Sequence, residues 1–220
     1  MRSASDGGFS VSGVNGLRDL VPEILAHHID PTTGAMSGAT TSQRRLSDLR
    51  GCFADETAFE EALERGDYVV YTVASWSQDS GDGALSFGLG TIQPGRIGKE
   101  YHLTKGHYHA WRDAAEVYLG VHGAGGIVLE TEAGVERFVP FAAGEIVYVP
   151  GATAHRTVNT GDEPFVYLGV YPANAGHDYG SIADDNFRLV LIAGPAGPTA
   201  VKRTTYLSSL TIGPIQEAQE

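Results

Sequence analysis

The hydrophobic pattern of the chain begins with one amphipathic helix. Asp55–Arg65 carries acidic residues in its first turn and places Phe59 and Ala62 on one helical face. Asp55 is a suitable N-cap, and Gly66 is a suitable C-terminal stop. The segment therefore predicts a short helix ahead of a region with a different periodicity.

From residue 67 onward, short runs rich in β-branched and aromatic residues alternate with turns rich in glycine and proline. Runs of this length at roughly regular spacing are typical of an antiparallel sandwich or barrel. The predicted fold class is therefore all-β with one short helix. The main predicted strands are Tyr68–Trp76, Leu85–Ile92, Tyr101–Thr104, Ala115–Leu119, Gly126–Thr131, Glu136–Val139, Ile146–Val149, Arg156–Val158, Phe165–Val170 and an edge strand, Phe187–Ile192.

The two ends of the chain lack this strand pattern. Residues 1–30 are interpreted as an N-terminal extension, in which Leu17–His28 has a short apolar pattern that predicts a helix. Residues 31–195 form the predicted domain, and residues 196–220 are interpreted as a C-terminal tail. The arginine-bearing segment 42–51 is either a solvated connector or an arm that folds back over the core.

Composition narrows the classes of function. The 220 residues carry a formal net charge of −12 and contain three lysines, so no basic surface for nucleic acid or an anionic membrane is expected. No apolar run reaches membrane-spanning length, and Met1–Asn15 lacks a secretory signal pattern. The single cysteine, Cys52, excludes an internal disulfide, and we expect a protein of the reducing cytoplasm.

Three histidines and one glutamate have the spacing of a metal site. His107 and His109 are two residues apart, so both face the same side if they lie on a β-strand. Glu116 lies on the next predicted strand, and His155 stands at the head of a later one. Imidazole and carboxylate ligands suit a divalent metal such as Fe²⁺, Mn²⁺, Ni²⁺, Co²⁺ or Zn²⁺. A polar network inside a barrel is the alternative interpretation.

These stretches resemble the two motifs of the cupins, which are double-stranded β-helix (jelly-roll) barrels. Two features depart from the general cupin pattern: six residues separate His109 from Glu116, and Ala152 replaces a common glycine. Neither change removes a ligand. The residues that match the two motifs are His107, His109, Glu116 and Gly123, followed by Gly144, Pro150, His155 and Asn159.

A narrower resemblance is to the cupin-type phosphoglucose isomerases of archaea and some bacteria. It is carried by the strings SQRRLSDLRG, TKGHYHAWRDAAEVYLG, YVPGATAHRTVNTGDEPF and VYPANAGHDYGSIA. The longer gap between His109 and Glu116 is also that family's form. The resemblance implies one divalent metal ion per subunit, with Fe²⁺ expected first, and a homodimer in which the stretch Arg44–Arg50 is a candidate contact.

The resemblance also implies where the substrate binds. His177 and Tyr179 are expected to close over the pocket and contact a sugar phosphate, and together with Glu116 they are the expected catalytic residues. For His177 and Tyr179, the alternative is a surface turn. For Tyr71, Tyr118 and Tyr171 the alternative is core packing, and for Lys105 it is a solvated charge. The family commonly has a pocket threonine at Gly90, one residue before Thr91. The further expected substrate-binding residues are Tyr71, Thr104, Lys105, Gly106, Tyr118 and Tyr171.

The implied activity is the reversible isomerisation of glucose 6-phosphate and fructose 6-phosphate, in which hydrogen moves between C1 and C2. Glu116 is the candidate base for an enediol route, because it is the only carboxylate predicted for the pocket. In a hydride-shift route, a tyrosine such as Tyr118 or Tyr179 would assist proton movement between oxygens. The alternatives are another metal-dependent cupin enzyme, either a phosphosugar isomerase or a dioxygenase, and a non-catalytic sugar-binding cupin.

Overall fold

The computed structural model describes residues 26–77, 83–183 and 186–211. The helix predicted over Leu17–His28 and the end of the predicted tail therefore fall largely outside the described residues. The helices are a 3-10 turn (Leu46–Leu49), α1 (Glu56–Arg65), α2 (Gly180–Ala183) and α3 (Arg203–Thr211). The strands are β1 (Thr40–Arg45), β2 (Val69–Trp76), β3 (Leu85–Ile92), β4 (Arg96–Ile97), β5 (Glu100–Tyr101), β6 (Glu116–His122), β7 (Ala124–Thr131), β8 (Glu136–Ala142), β9 (Ile146–Val149), β10 (Thr153–Asn159), β11 (Phe165–Pro172), β12 (Leu189–Gly194) and β13 (Gly197–Lys202).

Two antiparallel sheets enclose the main core. The larger sheet has the order β1-β2-β3-β11-β6-β9, and the smaller has the order β10-β7-β8. Phe165 of the larger sheet packs edge-on against Phe141 of the smaller sheet, with ring centroids 4.9 Å apart. A third sheet, β13-β12-β5-β4, lies beside them. The fold is a double-stranded β-helix, which confirms the predicted all-β class.

Helix α1 forms as its sequence predicts. The side chain of Asp55 accepts a hydrogen bond of 2.9 Å from the backbone N–H of Ala58, and the N–H of Gly66 donates to the carbonyl of Leu63. The apolar face buries Phe59 in the main core. Among the described residues, no helix has both the length and the apolar character needed to cross a membrane.

The segment 42–51 is an arm over the core rather than a solvated connector. Strand β1 extends the larger sheet by pairing with β2, with a register shift at Arg44/Arg45. The 3-10 turn that follows buries Leu46 and Leu49 completely. Polar residues on β1 face solvent, as expected for an edge strand.

The C-terminal part of the chain differs from the predicted tail. Strand β13 pairs with β12 along its whole length, and α3 then buries Tyr206 beside Ala54 and Val190. The edge position predicted for Phe187–Ile192 is wrong, because β12 lies between β13 and β5. Most side chains of β13 are exposed, so the strand has no alternating apolar pattern from which to predict it.

Candidate active site

Backbone pairing with β10 turns Thr104 and His107 toward the barrel interior. The N–H of Thr104 donates to the carbonyl of Thr157 at 2.9 Å, and His107 and His155 exchange hydrogen bonds of 3.2 and 3.0 Å. His155 and Thr157 are two residues apart on β10, so their side chains share a face. Their partners therefore share that face as well, although Thr104 and His107 are three residues apart.

A β-bulge between these two pairs explains the odd spacing. Lys105 and Gly106 together lie opposite the single residue Arg156, so the chain gains one residue on this side of the ladder. Gly106 has a φ of 74°, and a Cβ at this position would meet the Phe187 ring at 2.5 Å. Glycine is therefore required here. The N–H of Gly106 forms no hydrogen bond with the described residues, and Gly106 lines the pocket.

Three imidazoles converge between the two sheets. One ring nitrogen of each of His107, His109 and His155 lies within 4.8 Å of the other two. His109 Nδ1 is 3.0 Å from the carbonyl of Ala114, and His155 Nδ1 is 3.2 Å from the carbonyl of Thr153. Donation of the Nδ1 proton to these carbonyls leaves each Nε2 with a free lone pair, which is the arrangement of a metal-binding histidine.

Glu116 adds a carboxylate from the opposite sheet. Its Oε2 lies 3.3 Å from His109 Nε2 and 3.2 Å from His155 Nε2. Burial raises the pKa of this carboxyl, but the two imidazoles, when protonated, outweigh burial and lower the pKa to about 2. Gly169 on β11 provides the space, because a Cβ there would meet Glu116 Oε1 at 2.5 Å.

The donor set fits a divalent metal ion. His107 Nε2 is buried and has no hydrogen-bond partner among the described residues, which is costly unless something binds it. Burial, followed by the nearby imidazoles of His155 and His177, holds the pKa of His107 well below its usual value. A neutral imidazole is the form that coordinates a metal. The structure thus brings together the four residues predicted as ligands.

The segment after β11 covers these histidines. Tyr108 and Asp178 exchange backbone hydrogen bonds of 3.1 and 2.8 Å, and the stretch that carries His107 and His109 forms isolated bridges rather than a regular strand. The His177 ring lies 4.4 Å from the His107 ring and stacks on Tyr179, with an interplanar angle of 7°. Burial and the nearby His109 lower the pKa of His177, so its imidazole is neutral at pH 7.

The predicted substrate residues surround one pocket of about 640 Å³, part of it open to solvent. The Tyr71 hydroxyl accepts a hydrogen bond from the N–H of Lys105 at 3.5 Å, and burial raises the pKa of Tyr71 to about 12. The Lys105 side chain is exposed at the rim, with Nζ 5.2 Å from the centre of the Tyr179 ring. The predicted residues that line the pocket are Tyr71, Thr104, Gly106, His107, Glu116, Tyr118, His155, Tyr171, His177 and Tyr179.

Sequence reasoning missed Tyr167, which also lines the pocket. Tyr167 on β11 is directly opposite Gly90 on β3, and a Cβ at Gly90 would overlap the Tyr167 ring. The tyrosine therefore occupies the volume that a threonine at position 90 would fill. Alternation along β11 carried the signal, because Tyr167 and Gly169 share a face with Tyr171.

Thr91 does not substitute for the threonine that is absent at position 90. Its side chain is buried against Gly34 on the other face of β3, and it is not part of the pocket lining. Other lining residues that the sequence analysis did not single out are Val73, Gly88, Thr157 and Gly169.

Known proteins resemble this chain over most of its length. The family model described as "Glucose-6-phosphate isomerase (GPI)" matches residues 43–203. The glucose-6-phosphate isomerase of Pyrococcus horikoshii is 49% identical over 170 residues, which cover 77% of this chain and 90% of the relative. That of Thermococcus onnurineus is 52% identical over 164 residues, covering 74% and 86%, and that of Sinorhizobium medicae is 43% identical over 163 residues, covering 73% and 76%.

Among solved structures, the formate complex of Lactobacillus farciminis oxalate decarboxylase aligns with 50% of this chain and 30% of that chain, with a TM-score of 0.40 and 24% identity.

The family match extends from β1 to the start of α3, so it includes every residue of the site described above. The family model and the three relatives confirm the resemblance drawn from the sequence motifs. The chain belongs to the glucose-6-phosphate isomerase family.

Proposed function

We propose that this protein catalyses the metal-dependent, reversible isomerisation of D-glucose 6-phosphate and D-fructose 6-phosphate. The observation that carries the proposal is the convergence of three imidazoles and the Glu116 carboxylate on a pocket that also contains the Gly106 bulge. Membership of the family supports the reaction, and the geometry supports a division of the pocket into two ends.

The bulge end suits the phosphate group. The N–H of Gly106 has no partner within the described part of the chain and can donate to a ligand. The Thr104 hydroxyl, which accepts from the N–H of Thr157 at 3.0 Å, keeps its own proton to donate. The Tyr71 hydroxyl lies beside them, and Lys105 adds a positive charge at the rim. Because the net charge of the chain is −12, a phosphorylated substrate needs such local donors.

The histidine end suits the reacting carbons. His107, His109, Glu116 and His155 would hold one divalent ion per subunit, and we propose Fe²⁺, with Mn²⁺, Ni²⁺, Co²⁺ and Zn²⁺ compatible with the same ligands. When bound, such an ion polarises the oxygens on C1 and C2 of the open-chain sugar. The side chains around the ion determine which groups can donate or accept a proton during the reaction.

The protonation states favour the hydride-shift route. Glu116 is one of the four proposed ligands, and coordination to a cation would lower the basicity of its carboxylate, so Glu116 is poorly suited to remove a proton from carbon. Burial, followed by the charge of Glu116, raises the pKa of Tyr118, and burial raises that of Tyr179, so both hydroxyls remain protonated at neutral pH. These hydroxyls can donate to the sugar oxygens, while neutral His177 can accept a proton from a hydroxyl.

We further propose a cytoplasmic homodimer, with the stretch Arg44–Arg50 near the subunit contact. Strand β1 lies at the edge of the larger sheet with exposed polar side chains, so it is accessible to a second chain. Arg50 is already paired with Glu60, and Arg45 lies 3.6 Å from Asp67, which leaves Arg44 as the better candidate contact of the three arginines. Sedimentation equilibrium of the wild type and of Arg44→Glu tests this contact.

A coupled assay from fructose 6-phosphate to glucose 6-phosphate, run with elemental analysis of the same sample, tests the function. We expect turnover, about one metal ion per chain, and loss of both in His155→Ala. His122→Ala is the matched control, because this partly exposed histidine pairs with Glu163 outside the pocket. A metal-loaded sample that ignores both sugar phosphates would refute the proposal. Oxygen consumption with a small organic acid would favour a dioxygenase, and sugar-phosphate binding without turnover would favour a binding protein.

A further inference from the structure

Arg156 is a buried cation on the reverse side of the site. It lies on β10 between His155 and Thr157, both of which line the pocket, so its side chain points to the opposite face. It is only 4% exposed. Its hydrogen bonds within the described part of the chain all go to uncharged oxygens. Because burying a cation without a bonded carboxylate is costly, its position calls for an explanation.

The guanidinium ties the bulge to two other segments. Nη2 donates to the carbonyl of Lys105 at 2.7 Å, and Nη1 donates to Asn186 Oδ1 at 2.9 Å and to the carbonyl of Cys52 at 3.3 Å. Asn186 in turn accepts from the N–H of Phe187 at 2.7 Å. A bulged residue loses its hydrogen-bond partner in the ladder. Without Arg156, the Lys105 carbonyl would therefore lose its hydrogen-bond donor.

The peptide bond between Lys105 and Gly106 links Arg156 to the pocket. The carbonyl of Lys105 and the N–H of Gly106 belong to one planar trans unit, in which they point in opposite directions. Arg156 draws the carbonyl toward the reverse face of β10, so the N–H of Gly106 is directed toward the pocket face. A hydrogen bond to a cation also polarises the peptide unit and strengthens its N–H as a donor.

We propose that Arg156 is a positioning residue for the phosphate end of the substrate, acting through the Lys105–Gly106 peptide. The inference rests on the proposed function, in which the Gly106 N–H receives a phosphate oxygen. It assigns Arg156 no contact with the substrate. Loss of the Arg156 side chain should therefore weaken phosphate binding and leave metal binding intact.

Arg203 provides a matched control. It also donates to the carbonyl of Cys52, at 3.5 Å, and to the carbonyl of Phe53, at 3.0 Å, but it makes no hydrogen bond to Lys105. Burial lowers the pKa of both guanidinium groups, although Arg203 is only partly buried. Arg203→Gln should reduce stability as Arg156→Gln does, without affecting the bulge.

The experiment compares metal-loaded wild type, Arg156→Gln, Arg156→Lys and Arg203→Gln. Isothermal titration with inorganic phosphate and the KM for fructose 6-phosphate are measured, with metal content and unfolding midpoint as companion readouts. For Arg156→Gln we expect about tenfold weaker phosphate binding, a parallel rise in KM and unchanged metal content. Arg156→Lys should recover part of the affinity, and Arg203→Gln should match the wild type in both phosphate binding and KM.

Equal phosphate affinity in Arg156→Gln and Arg203→Gln, or a loss of metal in Arg156→Gln, would overturn the inference. If Arg156→Gln does not fold, Asn186→Ala removes the acceptor that orients the guanidinium, and unchanged phosphate affinity there would also overturn it. The titration needs no turnover. Phosphate binding that depends on Arg156 in a protein without isomerase activity would refute the proposed function and leave the inference standing.

Discussion

The guanidinium of Arg112 lies 2.6 Å from the carboxylate of Asp178, the residue between His177 and Tyr179. The same guanidinium donates to the carbonyl of His109. One arginine therefore joins the loop that carries a proposed metal ligand to the segment that covers the pocket. Hydrogen bonds from Ser181 and Arg112 hold the pKa of Asp178 well below its usual range, so the ion pair persists in mildly acidic solution.

Arg112→Met should loosen the covering segment. We expect kcat/KM to fall by about tenfold or more, because small displacements of positioning groups are costly to catalysis. Metal content should not change, because the hydrogen bond from Arg112 to His109 goes to the backbone carbonyl and not to the imidazole ring. Glu132→Gln is the control, because it removes only the negative charge of the outer partner of Arg112, 3.1 Å away. Equal kinetics in the two variants, measured by the coupled assay, would contradict this role.

Metal removal should abolish activity and lower stability together. Glu116, His109 and His155 are buried, and the partly buried His107 ring meets them at one point. A metal that binds only the folded state shifts the unfolding equilibrium toward that state. We expect chelation and dialysis to eliminate turnover and reduce the thermal midpoint, with Fe²⁺ or Mn²⁺ restoring both. Calorimetry of apo and reconstituted samples measures the shift. Full activity in a sample shown by elemental analysis to lack metal would exclude the proposed site.

The sequence predicts Glu116 and His155 because each lies on a regular strand. His107 and His109 are predicted from their two-residue spacing, although their stretch forms only isolated bridges. Glu116 and Tyr118 face inward on β6 by simple alternation, and His155 lies on a fully buried strand. The bulge could not be predicted in the same way, because an inserted residue breaks the two-residue period that such reasoning uses. The sequence accordingly predicts that Arg156 lies on a strand, but it does not reveal the hydrogen bond from Arg156 to the Lys105 carbonyl.

The C-terminal region shows a second limit. Strand β13 is held by its backbone pairing with β12, while most of its side chains face solvent. Its hydrophobic pattern therefore contains little information about its structure. For Tyr167 the pattern is informative, because its alternation with Tyr171 predicts that it faces the pocket. Only the strand register with Gly90 reveals that the Tyr167 ring fills the space of a threonine at position 90.

Gly90→Ala should destabilise the protein, because the added Cβ would overlap the Tyr167 ring. Overpacking of this kind costs about 1–3 kcal/mol of unfolding free energy, which urea denaturation can measure. Gly88→Ala is the control on the same face of β3, where a Cβ would meet a Val73 methyl group at 3.3 Å and the Ser75 Cβ at 3.9 Å. Adding Tyr167→Leu to Gly90→Ala should recover stability. If Gly90→Ala is no less stable than Gly88→Ala, the Tyr167 ring does not fill this space.

Deuterium at C2 of glucose 6-phosphate distinguishes the two chemical routes. Glu116 is a proposed metal ligand beside His109 and His155, and coordination to a cation would make its carboxylate a weak base at neutral pH. An enediol route needs a base that carries the hydrogen and exchanges it with water, whereas a hydride shift keeps the label. We therefore expect the deuterium to be retained at C1 of fructose 6-phosphate, as measured by NMR after partial conversion. Extensive loss of label to solvent would instead assign Glu116 the role of base, and the same experiment on free sugar phosphate in buffer provides the exchange control.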